Sequence, residues 1–463
     1  MARATNLMRR FQAEPAELIA RAKLGGAVGF IALRASDGTV LETNQADVGL
    51  PPASVAKALT ACYALDALGA THRFRTRILA LGPISDGKLN GDLVLAGGGD
   101  PTLDTDGLAL LAKRLKDSGI FEVTGKFRVW GGALPTTKEI DASQPDQVGY
   151  NPAVSGLNLN FNRVHFEWRK AGSDYTVTMD ARSANHRPEV DTARMRVVPR
   201  DTPIYTYEDA KTHDAWTVAK GALGNGGARW LPVRKPELYA ADVFRTFARS
   251  HGIALSAPVL VDDTPEGTEL AHVESAPLSV ILRDMLKFST NLTAEVVGMT
   301  ATTVRVGRPE GIAQSAQAMN TWIEDQTGQT GFALVDHSGL GDQSRVNAAA
   351  MAKALFALDA KLGIKALLKD FPLRDAERRV IEDHPITVLA KTGTLNFVSG
   401  LSGFADLPDG SGVVFAIFCA DIDRRAKLSV AERERPEGGV AWNRRAKALQ
   451  QALIERWGVM YST

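Results

Sequence analysis

The stretch PPASVAKALTACYALDALG at residues 51–69 has apolar residues at helical spacing, with prolines at its start and a glycine at its end. This pattern predicts a helix over about residues 53–68. Ser54 and Lys57 lie at the start of this helix, and residues three apart share one helix face. The Lys57 amine can therefore reach the Ser54 hydroxyl. A lysine whose pKa is lowered by burial or by another cation can activate a serine nucleophile.

Chance alone produces a Ser-x-x-Lys pair about once or twice in a chain of this length. A second copy, Ser85 to Lys88, lies in a glycine-containing turn between predicted strands, where the two side chains share no helical face. Taken alone, Ser54 and Lys57 also fit a helix cap followed by a solvated lysine. The pair therefore needs support from elsewhere in the chain.

A second motif, Ser289-Thr290-Asn291, lies between an apolar helix ending in MLKF and a helix opening with LTAEVV. A junction of two packed helices can direct a hydroxyl and an amide into one cleft, where they relay a proton and hold a substrate amide. Ser183 and Asn185 have the same spacing but lie in a polar stretch without such helices. The alternative for Ser289 is an N-cap serine beside a structural asparagine.

A third motif, Lys391-Thr392-Gly393-Thr394, follows the apolar segment TVLA. Chance produces Lys-Thr-Gly only about a tenth of a time in such a chain. On a strand edge the lysine supplies a cation, the threonines donate to a carboxylate, and Gly393 leaves room for a substrate backbone. The alternative is a solvated strand end with a turn glycine.

The order of the three motifs matches penicillin-binding proteins and serine β-lactamases, with Thr290 where aspartate is usual. Over essentially its whole length the chain resembles the penicillin-binding protein 4 family of D-Ala-D-Ala carboxypeptidases and endopeptidases, peptidase family S13. The segments that carry the resemblance are GDLVLAGGGDPTL (91–103), YNPAVSGLNLNFN (150–162), KFSTNLTAEVVG (287–298), DHSGL (336–340) and AKTGTLNFVSGLSGF (390–404).

The resemblance implies a reaction that runs through an acyl-enzyme on Ser54. Lys57 would act as the general base, and Ser289 would relay the proton to the leaving amine. The backbone N–H groups of Ser54 and Thr394 would form the oxyanion hole. A β-lactam imitates the D-Ala-D-Ala amide, so the resemblance also implies inhibition by acylation of Ser54.

The implied substrate is a peptidoglycan peptide. Asn291 would bind the amide of the penultimate residue. Lys391 would be one of the catalytic residues, and together with Thr392 and Thr394 it would hold the terminal carboxylate of the substrate. Gly393 completes the substrate-binding strand. No cofactor and no metal are implied.

The expected fold is α/β and multidomain, with a penicillin-binding/serine β-lactamase-like transpeptidase domain whose antiparallel sheet has helices on both sides. The long gap between Ser54 and Ser289 fits a large, two-part, strand-rich insertion. The expected domains are the catalytic domain at 1–75 and 266–463, insertion domain II at 76–101 and 170–265, and insertion domain III at 102–169.

Local patterns predict individual elements as well. A hairpin is expected over about 25–50, with strands and turns from about 76 to 265 interrupted by a helix near 106–118. Further helices are expected at LSVILRDMLKF, AEVVGMTATTVRV, NAAAMAKALFALDAKL and WNRRAKALQQALIERW, and a strand pair at AKTGTL and GVVFAIFCADI.

Some positions depart from the family pattern. His337 stands where glycine is usual, and the stretch before the Lys391 motif lacks the usual glycine-rich turn and arginine. Arg378 or Arg379 is a candidate replacement for recognition of the peptide side chain. Asp146 and Tyr150 are further candidates for that subsite, with solvated loop residues as the alternative.

Composition narrows the range of partners. A net charge of +1 gives no basic field for nucleic acid, and no apolar run is long enough to span a bilayer. Cys62 and Cys419 form neither a disulfide framework nor a metal-binding spacing. Residues 1–26 lack the apolar stretch of a signal peptide, so a periplasmic location is inferred from the substrate alone. The oligomeric state is not predicted.

Two rival functions stay open. A serine β-lactamase or esterase on the same fold differs in how fast water attacks the acyl-enzyme. A non-catalytic cell-wall binding protein would function without Ser54.

Overall fold

The computed structural model describes residues 13–462, which form two compact units. The first unit comprises the described residues up to Gly69, together with Leu282–Ser289 and the chain from Ala313 onward. The second comprises Ala70–Ile281 and Thr290–Ile312. Each unit is therefore assembled from segments that are distant in the sequence. The division into three domains with the boundaries given above stays a prediction.

Some helices begin after a residue whose side chain replaces a missing backbone partner, as Asn347 does before α8 when it accepts a hydrogen bond from the Ala350 N–H at 2.6 Å. They are α1 (Pro15–Ala22), α2 (Ala56–Leu68), α3 (Thr105–Asp117), α4 (Pro236–Ser250), α5 (Leu278–Phe288), α6 (Asn291–Val306), α7 (Ile312–Thr327), α8 (Ala348–Leu362), α9 (Ile422–Ala426) and α10 (Gly439–Met460).

The strands are β1 (Ala27–Arg34), β2 (Val40–Asn44), β3 (Arg75–Leu81), β4 (Ile84–Ser85), β5 (Lys88–Leu89), β6 (Asp92–Gly97), β7 (Glu122–Val123), β8 (Phe127–Trp130), β9 (Arg163–Ala171), β10 (Asp174–Asp180), β11 (Ala193–Val198), β12 (Tyr205–Asp209), β13 (Asp214–Ala219), β14 (Gly226–Pro232), β15 (Pro258–Leu260), β16 (Thr268–Glu274), β17 (Phe332–Ala333), β18 (Arg345–Val346), β19 (Lys369–Asp370), β20 (Thr387–Leu395), β21 (Val398–Asp406) and β22 (Gly412–Ala420).

The first unit contains a six-stranded sheet with the order β19-β20-β21-β22-β1-β2. Every neighbouring pair in it is antiparallel. The interior strands are buried along most of their length on both faces, which requires cover on both sides.

Helices on both faces supply that cover. On one face, Phe30 of β1 and Phe415 of β22 pack against Trp457 of α10, with ring centroids 6.1 and 5.6 Å apart. α8 also contacts β1 and β22 but contributes no residue to this core, so it covers the other face. The expected α/β fold class, with an antiparallel sheet between helices, is confirmed.

The second unit is rich in strands. Its sheets have the orders β15-β8-β6-β3-β16, β10-β9-β14, β11-β13-β12 and β4-β5-β7. α3 and α4 pack against each other and share one apolar core with these sheets, to which Leu111, Trp216 and Phe244 belong. The predicted strand-rich segment in the middle of the chain is therefore present.

Several predicted elements are found close to their expected bounds, including the hairpin β1–β2, helix α3, helix α5 and helix α8. Other elements were not predicted, among them α1, α9 and three that form larger parts of the fold. α4 lies in the region expected to contain strands, α7 was not recognised, and β21 lies between the two strands expected to pair. β21 contains two glycines, which are depleted in strands, and two serines, and these four residues interrupt its apolar pattern.

Within residues 13–462, no helix is both long and apolar enough to cross a membrane.

Candidate active site

Ser54 lies in a tight turn that leads into α2. Residues Ala53–Val55 form a single 3-10 turn, and α2 proper begins at Ala56. Ala53 has a φ of +47°, a left-handed conformation that costs a non-glycine residue about 1–2 kcal/mol. Such conformations are retained where surrounding structure fixes them, and they cluster at functional sites. The turn leaves Ser54 partly exposed while Ala53 and Val55 are buried.

Lys57 is fully buried one turn after Ser54. Its Nζ donates to Ser54 Oγ at 2.9 Å and to the Ser338 carbonyl oxygen at 2.7 Å. The proximity expected from the spacing of Ser54 and Lys57 is therefore present. An amine in hydrogen-bond contact with a hydroxyl satisfies the distance requirement for a general base.

A buried turn at residues 336–341 fixes the Ser338 carbonyl. Asp336 accepts hydrogen bonds from the backbone N–H groups of Gly339 at 2.6 Å and Gly341 at 2.5 Å. Gly339 has a φ of +74°, and a Cβ atom there would lie 1.9 Å from the Ala53 carbonyl oxygen. Only glycine permits this approach, so the turn and the Ser54 segment pack backbone to backbone.

His337 is fully buried in the same turn and faces α7 and α2. Its Nε2 lies 2.7 Å from Ser315 Oγ, its Nδ1 lies 3.3 Å from the Met319 sulfur, and its ring stacks on Tyr63 at 6.2 Å. Burial lowers the pKa of His337 to about 3, so the ring is neutral at physiological pH. His337 therefore packs behind the site rather than beside the Ser54 hydroxyl.

β20 carries the Lys-Thr-Gly motif directly past the Ser54 turn. A Cβ atom on Gly393 would lie 2.7 Å from the Pro52 carbonyl oxygen and 3.1 Å from the Ser54 nitrogen. Lys391 lies two residues earlier on the same face of the strand, and its Nζ donates to Ser289 Oγ at 3.0 Å. The first unit therefore brings Ser54, Lys57, Ser289 and Lys391 into one neighbourhood.

The amine of Lys391 lies among other amines. Burial lowers the pKa of Lys391 well below its ordinary value, and the charges of Lys57 and Lys369 lower it further. Burial and the charge of Lys447 also lower the pKa of Lys369. A group of close amines disfavours full protonation of its members and attracts an anion.

Ser289 follows the last residue of α5 and adopts a left-handed φ of +61°. Its backbone N–H donates to the Met285 carbonyl at 2.8 Å, which ends the helix. Asn291 begins α6 in the second unit and donates from its amide to the Tyr150 carbonyl at 2.8 Å. The predicted helix junction is therefore present, with Ser289 and Asn291 on either side of Thr290.

The remaining candidates differ in their surroundings. Thr392 is partly buried and Thr394 is exposed on β20. Arg379 is exposed and forms ion pairs with Asp375 and Glu377, while Arg378 is exposed at a φ of +68°.

Asp146 and Tyr150 lie at the surface of the second unit. The Tyr150 hydroxyl donates to Gln144 Oε1 at 3.2 Å. The role of Asp146, Tyr150, Arg378 and Arg379 in peptide recognition stays a prediction.

The second copies of the Ser-x-x-Lys and Ser-x-Asn motifs lie in surroundings that fit a purely structural role. Ser85 and Lys88 lie on β4 and β5, on either side of a hairpin turn. Ser183 and Asn185 both donate to Asp106 at the start of α3, at 2.5 and 3.0 Å. Neither copy adjoins a buried lysine, which distinguishes both from the Ser54 and Ser289 motifs.

Sequence reasoning missed two contributors to the site. The Ser338 carbonyl is a backbone group, and only the run DHSGL marked its position. Lys369 lies on the short strand β19, opposite Ala390 of β20, so it reaches the site through sheet pairing that no local pattern reveals.

These features define the class of penicillin-recognising serine enzymes. They are an antiparallel sheet between helices, a serine and a buried lysine at the start of a helix, and a lysine on a strand beside a second serine. The sequence model of the D-Ala-D-Ala carboxypeptidase 3 (S13) family matches residues 11–439. Because this match spans most of the chain, the protein belongs to that family.

Similar proteins agree with this assignment. D-alanyl-D-alanine carboxypeptidase DacB of Haemophilus influenzae is 25% identical over 419 residues, covering 85% of each chain. A D-alanyl-D-alanine carboxypeptidase of Actinomadura sp. is 26% identical over 436 residues, covering 84% of this chain and 77% of that protein. The crystal structure of penicillin binding protein 4 from Haemophilus influenzae has a TM-score of 0.75 at 22% identity, covering 91% of this chain and 98% of that one.

These findings confirm the predicted family, and the match to the solved structure confirms the predicted fold. They also confirm the predicted enzyme class, a hydrolase of the D-Ala-D-Ala carboxypeptidase type.

Proposed function

We propose that the chain hydrolyses the D-Ala-D-Ala bond of peptidoglycan peptides through an acyl-enzyme on Ser54. The observation that carries the proposal is the pair of contacts from Lys57 to Ser54 Oγ at 2.9 Å and from Lys391 to Ser289 Oγ at 3.0 Å. Gly393 lies beside the Ser54 nitrogen, which supports a common site for both pairs.

In the acylation step, Ser54 Oγ attacks the carbonyl carbon of the penultimate residue. A neutral Lys57 takes the hydroxyl proton as the new C–O bond forms, and the backbone N–H groups of Ser54 and Thr394 hold the oxyanion. Lys57 is suited to this role because its Nζ is held between the Ser54 hydroxyl and the Ser338 carbonyl.

Breakdown of the tetrahedral intermediate breaks the C–N bond and needs a proton on the leaving amine. Ser289 donates its hydroxyl proton to that amine and recovers the proton that Lys57 took from Ser54, either directly or through Lys391, whose Nζ is hydrogen-bonded to Ser289 Oγ. Lys57 is then neutral again. Water then attacks the ester, Lys57 again takes the proton, and Ser54 is regenerated.

The edge of β20 is suited to binding an extended peptide. β19 pairs only with Ala390 and Leu389. In the part of the chain that the structure describes, no strand continues this pairing along Lys391–Leu395, so backbone groups there are available to a substrate strand. We assign the terminal carboxylate to Lys391, Thr392 and Thr394, with Gly393 providing space for the substrate backbone.

Several parts of the proposal rest on the family resemblance. They are the binding of the penultimate amide by Asn291, the three-domain division, the ability to cut cross-linked peptides as an endopeptidase, and action in the periplasm. A penicillin binding protein 4 structure with a β-lactam bound is among the solved structures similar to this chain. Acylation of Ser54 by β-lactams is part of the same proposal.

Release of D-alanine from a D-Ala-D-Ala peptide tests the function. We expect Ser54→Ala to abolish release, and Lys57→Met to slow it by about 10²–10⁴-fold, the usual contribution of a general base. The matched controls are Ser85→Ala and Lys88→Met in the second Ser-x-x-Lys copy, which we expect to retain full activity. Equal loss in the Ser54 and Ser85 variants, or no loss in either, contradicts the proposal.

A further inference from the structure

Asp342 directly follows the buried turn at residues 336–341 and binds two arginines. Its Oδ1 accepts a hydrogen bond from Arg425 Nε at 2.9 Å and a second one from Arg425 Nη2. Its Oδ2 accepts one from Arg433 Nη1 at 2.8 Å. Arg425 lies on α9 and Arg433 lies between α9 and α10, so one carboxylate joins the turn to a distant part of the chain. We call Asp342, Arg425 and Arg433 the carboxylate clamp.

The carboxylate clamp is largely removed from solvent. The side chains of Arg425 and Arg433 are 10% and 16% exposed, and that of Asp342 is 29% exposed. Burial alone would raise the pKa of Asp342, but the charges and hydrogen bonds of Arg425 and Arg433 lower it below its ordinary value. Asp342 is therefore ionised at neutral pH. Charge-assisted hydrogen bonds at low exposure are strong and weakly screened, so the clamp holds its three side chains in one geometry.

One end of the carboxylate clamp adjoins the anchor of Lys57. Asp342 follows Gly341, whose backbone N–H donates to Asp336 at 2.5 Å. The same turn presents the Ser338 carbonyl, which accepts a hydrogen bond from Lys57 Nζ at 2.7 Å. A displacement of Asp342 is therefore transmitted through this turn to the proposed general base.

The other end of the clamp holds the chain where β20 ends. Arg425 Nη1 donates to the Asn396 carbonyl at 3.1 Å, and the Asn396 side-chain amide donates to the Arg433 carbonyl at 2.6 Å. Asn396 directly follows β20 and lies two residues after Thr394. Among the described residues, no strand pairs with the outer edge of β20 along Lys391–Leu395. A strand end with few contacts on one side moves easily, so its position depends on the contacts with Asn396.

We propose that Asp342 is a positioning residue, which through the carboxylate clamp fixes the backbone N–H of Thr394 relative to the Ser54 hydroxyl. The clamp joins the turn that anchors the proposed base to the strand that supplies a proposed oxyanion donor. An oxyanion donor acts only within hydrogen-bond distance of the developing charge, so a shift of this strand weakens binding of the transition state more than binding of the substrate. This inference rests on the proposed function, because it takes Thr394 to hold the oxyanion.

Asp342→Asn tests the inference, because it keeps the size of the side chain and removes its charge. We expect kcat for release of D-alanine from a D-Ala-D-Ala peptide to fall by about 10- to 100-fold, with KM unchanged within about twofold. A boronic acid analogue of the peptide, which forms a tetrahedral adduct with Ser54, should bind more weakly by the same factor. The peptide itself should bind Ser54→Ala equally well with and without Asp342→Asn. Asp342→Glu, which keeps the carboxylate, should retain more of kcat than Asp342→Asn.

Glu167 in the second unit provides the matched control. Its carboxylate is also bound by two arginines, Arg169 and Arg182, both at 3.0 Å, and its side chain is 26% exposed. Glu167→Gln therefore removes a similar charge at a similar exposure, and kcat and boronic acid affinity should stay unchanged. Thermal unfolding measures the loss of stability in each variant. A fall in kcat in both variants, or an equal loss of peptide and boronic acid affinity in Asp342→Asn, overturns the inference.

Arg433→Gln keeps the inference testable if Asp342→Asn does not fold, because it leaves the pair between Asp342 and Arg425 in place. We expect kcat to fall less than in Asp342→Asn, again with KM unchanged. An unaltered kcat in a folded variant of the clamp overturns the inference.

Penicillin labelling distinguishes this failure from failure of the proposed function. If penicillin acylates Ser54 in the unaltered chain and the clamp variants react as fast as the parent, only the inference about Asp342 is wrong. If Ser54 is not acylated in the unaltered chain, the proposed function itself is wrong.

Discussion

Lys391, which we propose binds the carboxylate of the substrate, has surroundings that disfavour its own charge. Burial and the neighbouring amines Lys57 and Lys369 lower its pKa. A bound carboxylate has the opposite effect, because an anion within contact distance favours the ammonium form. The affinity for substrate and the protonation of Lys391 are therefore coupled.

This coupling predicts proton uptake on binding. At pH values between the lowered pKa of Lys391 and its ordinary value, a D-Ala-D-Ala peptide should bind to Ser54→Ala with net uptake of a proton. Calorimetry in buffers of different ionisation enthalpy measures this number directly. Lys391→Met should abolish the uptake, and its absence from the parent at every pH would contradict the assigned role of Lys391.

The buried ring of His337 predicts a pH dependence of stability. The pKa of His337 is lowered to about 3 in the folded chain, whereas an unfolded histidine titrates near 6.5. Between these values the unfolded state binds more protons, so stability falls as the pH falls from about 6.5 toward 3. At pH 5 this one group should lower the free energy of unfolding by about 2 kcal/mol.

Denaturant unfolding of the parent and of His337→Gln over this pH range isolates the contribution. Gln offers an acceptor to Ser315 but does not titrate, so the variant should lose less stability on acidification than the parent. Identical pH profiles for the two proteins would mean that His337 is not held neutral by burial.

Among individual residues, the sequence predicted those contacts that depend on local spacing. Ser54 and Lys57 share a helical turn, and their contact follows from helix geometry alone. The contact between Lys391 and Ser289 joins residues 102 positions apart, and only the family resemblance brought them together beforehand. The Ser338 carbonyl escaped notice because backbone groups carry no residue-type signal.

At the scale of elements, the turn at 336–341 supports the start of α2. Gly339→Ala should destabilise the chain in two ways, since its φ of +74° disfavours any side chain and its Cβ would lie 1.9 Å from the Ala53 carbonyl. We expect a loss of about 1–2 kcal/mol from the backbone conformation and a further 1–3 kcal/mol from the clash. Acylation of Ser54 by penicillin should slow as the Ser54 turn shifts.

Gly363 is the matched control for Gly339. It follows α8 with a φ of +65°, but a Cβ there would meet no atom within 4 Å. Gly363→Ala should therefore show only the loss of about 1–2 kcal/mol from the backbone conformation, with acylation unchanged. Thermal unfolding and penicillin acylation rates measure both effects. Equal destabilisation by Gly339→Ala and Gly363→Ala would contradict this prediction, because it would mean that the Ala53 carbonyl moves away from the new Cβ at no cost in stability.

Some elements were predicted from their local sequence, whereas α4 and β21 were missed for two different reasons. α5 and α8 repeat apolar residues at helical spacing and have clear ends. α4 has an amphipathic pattern, but it lies in a region that was expected to contain strands, whereas β21 spreads its apolar residues among glycines and serines. For β21, burial within the tertiary structure overrides weak local propensity.

At the scale of the whole molecule, the chain leaves the first unit after Gly69 and returns to it near Leu282. The serine–lysine pair precedes this excursion, and Ser289 and Lys391 follow it. Local patterns predicted a strand-rich insertion between them, but the boundary depends on long-range packing. Ser289 and Asn291, two residues apart, fall in different units, which no spacing rule indicates.

Mapping the residue that penicillin acylates tests the central claim most directly. After incubation with penicillin and digestion with trypsin, the peptide 35–57 contains both Ser36 and Ser54, so fragment masses must locate the adduct. We predict one penicilloyl group on Ser54, stable through the digestion, and none after Ser54→Ala. An adduct on another residue, or rapid release of hydrolysed penicillin as in a β-lactamase, would contradict the account.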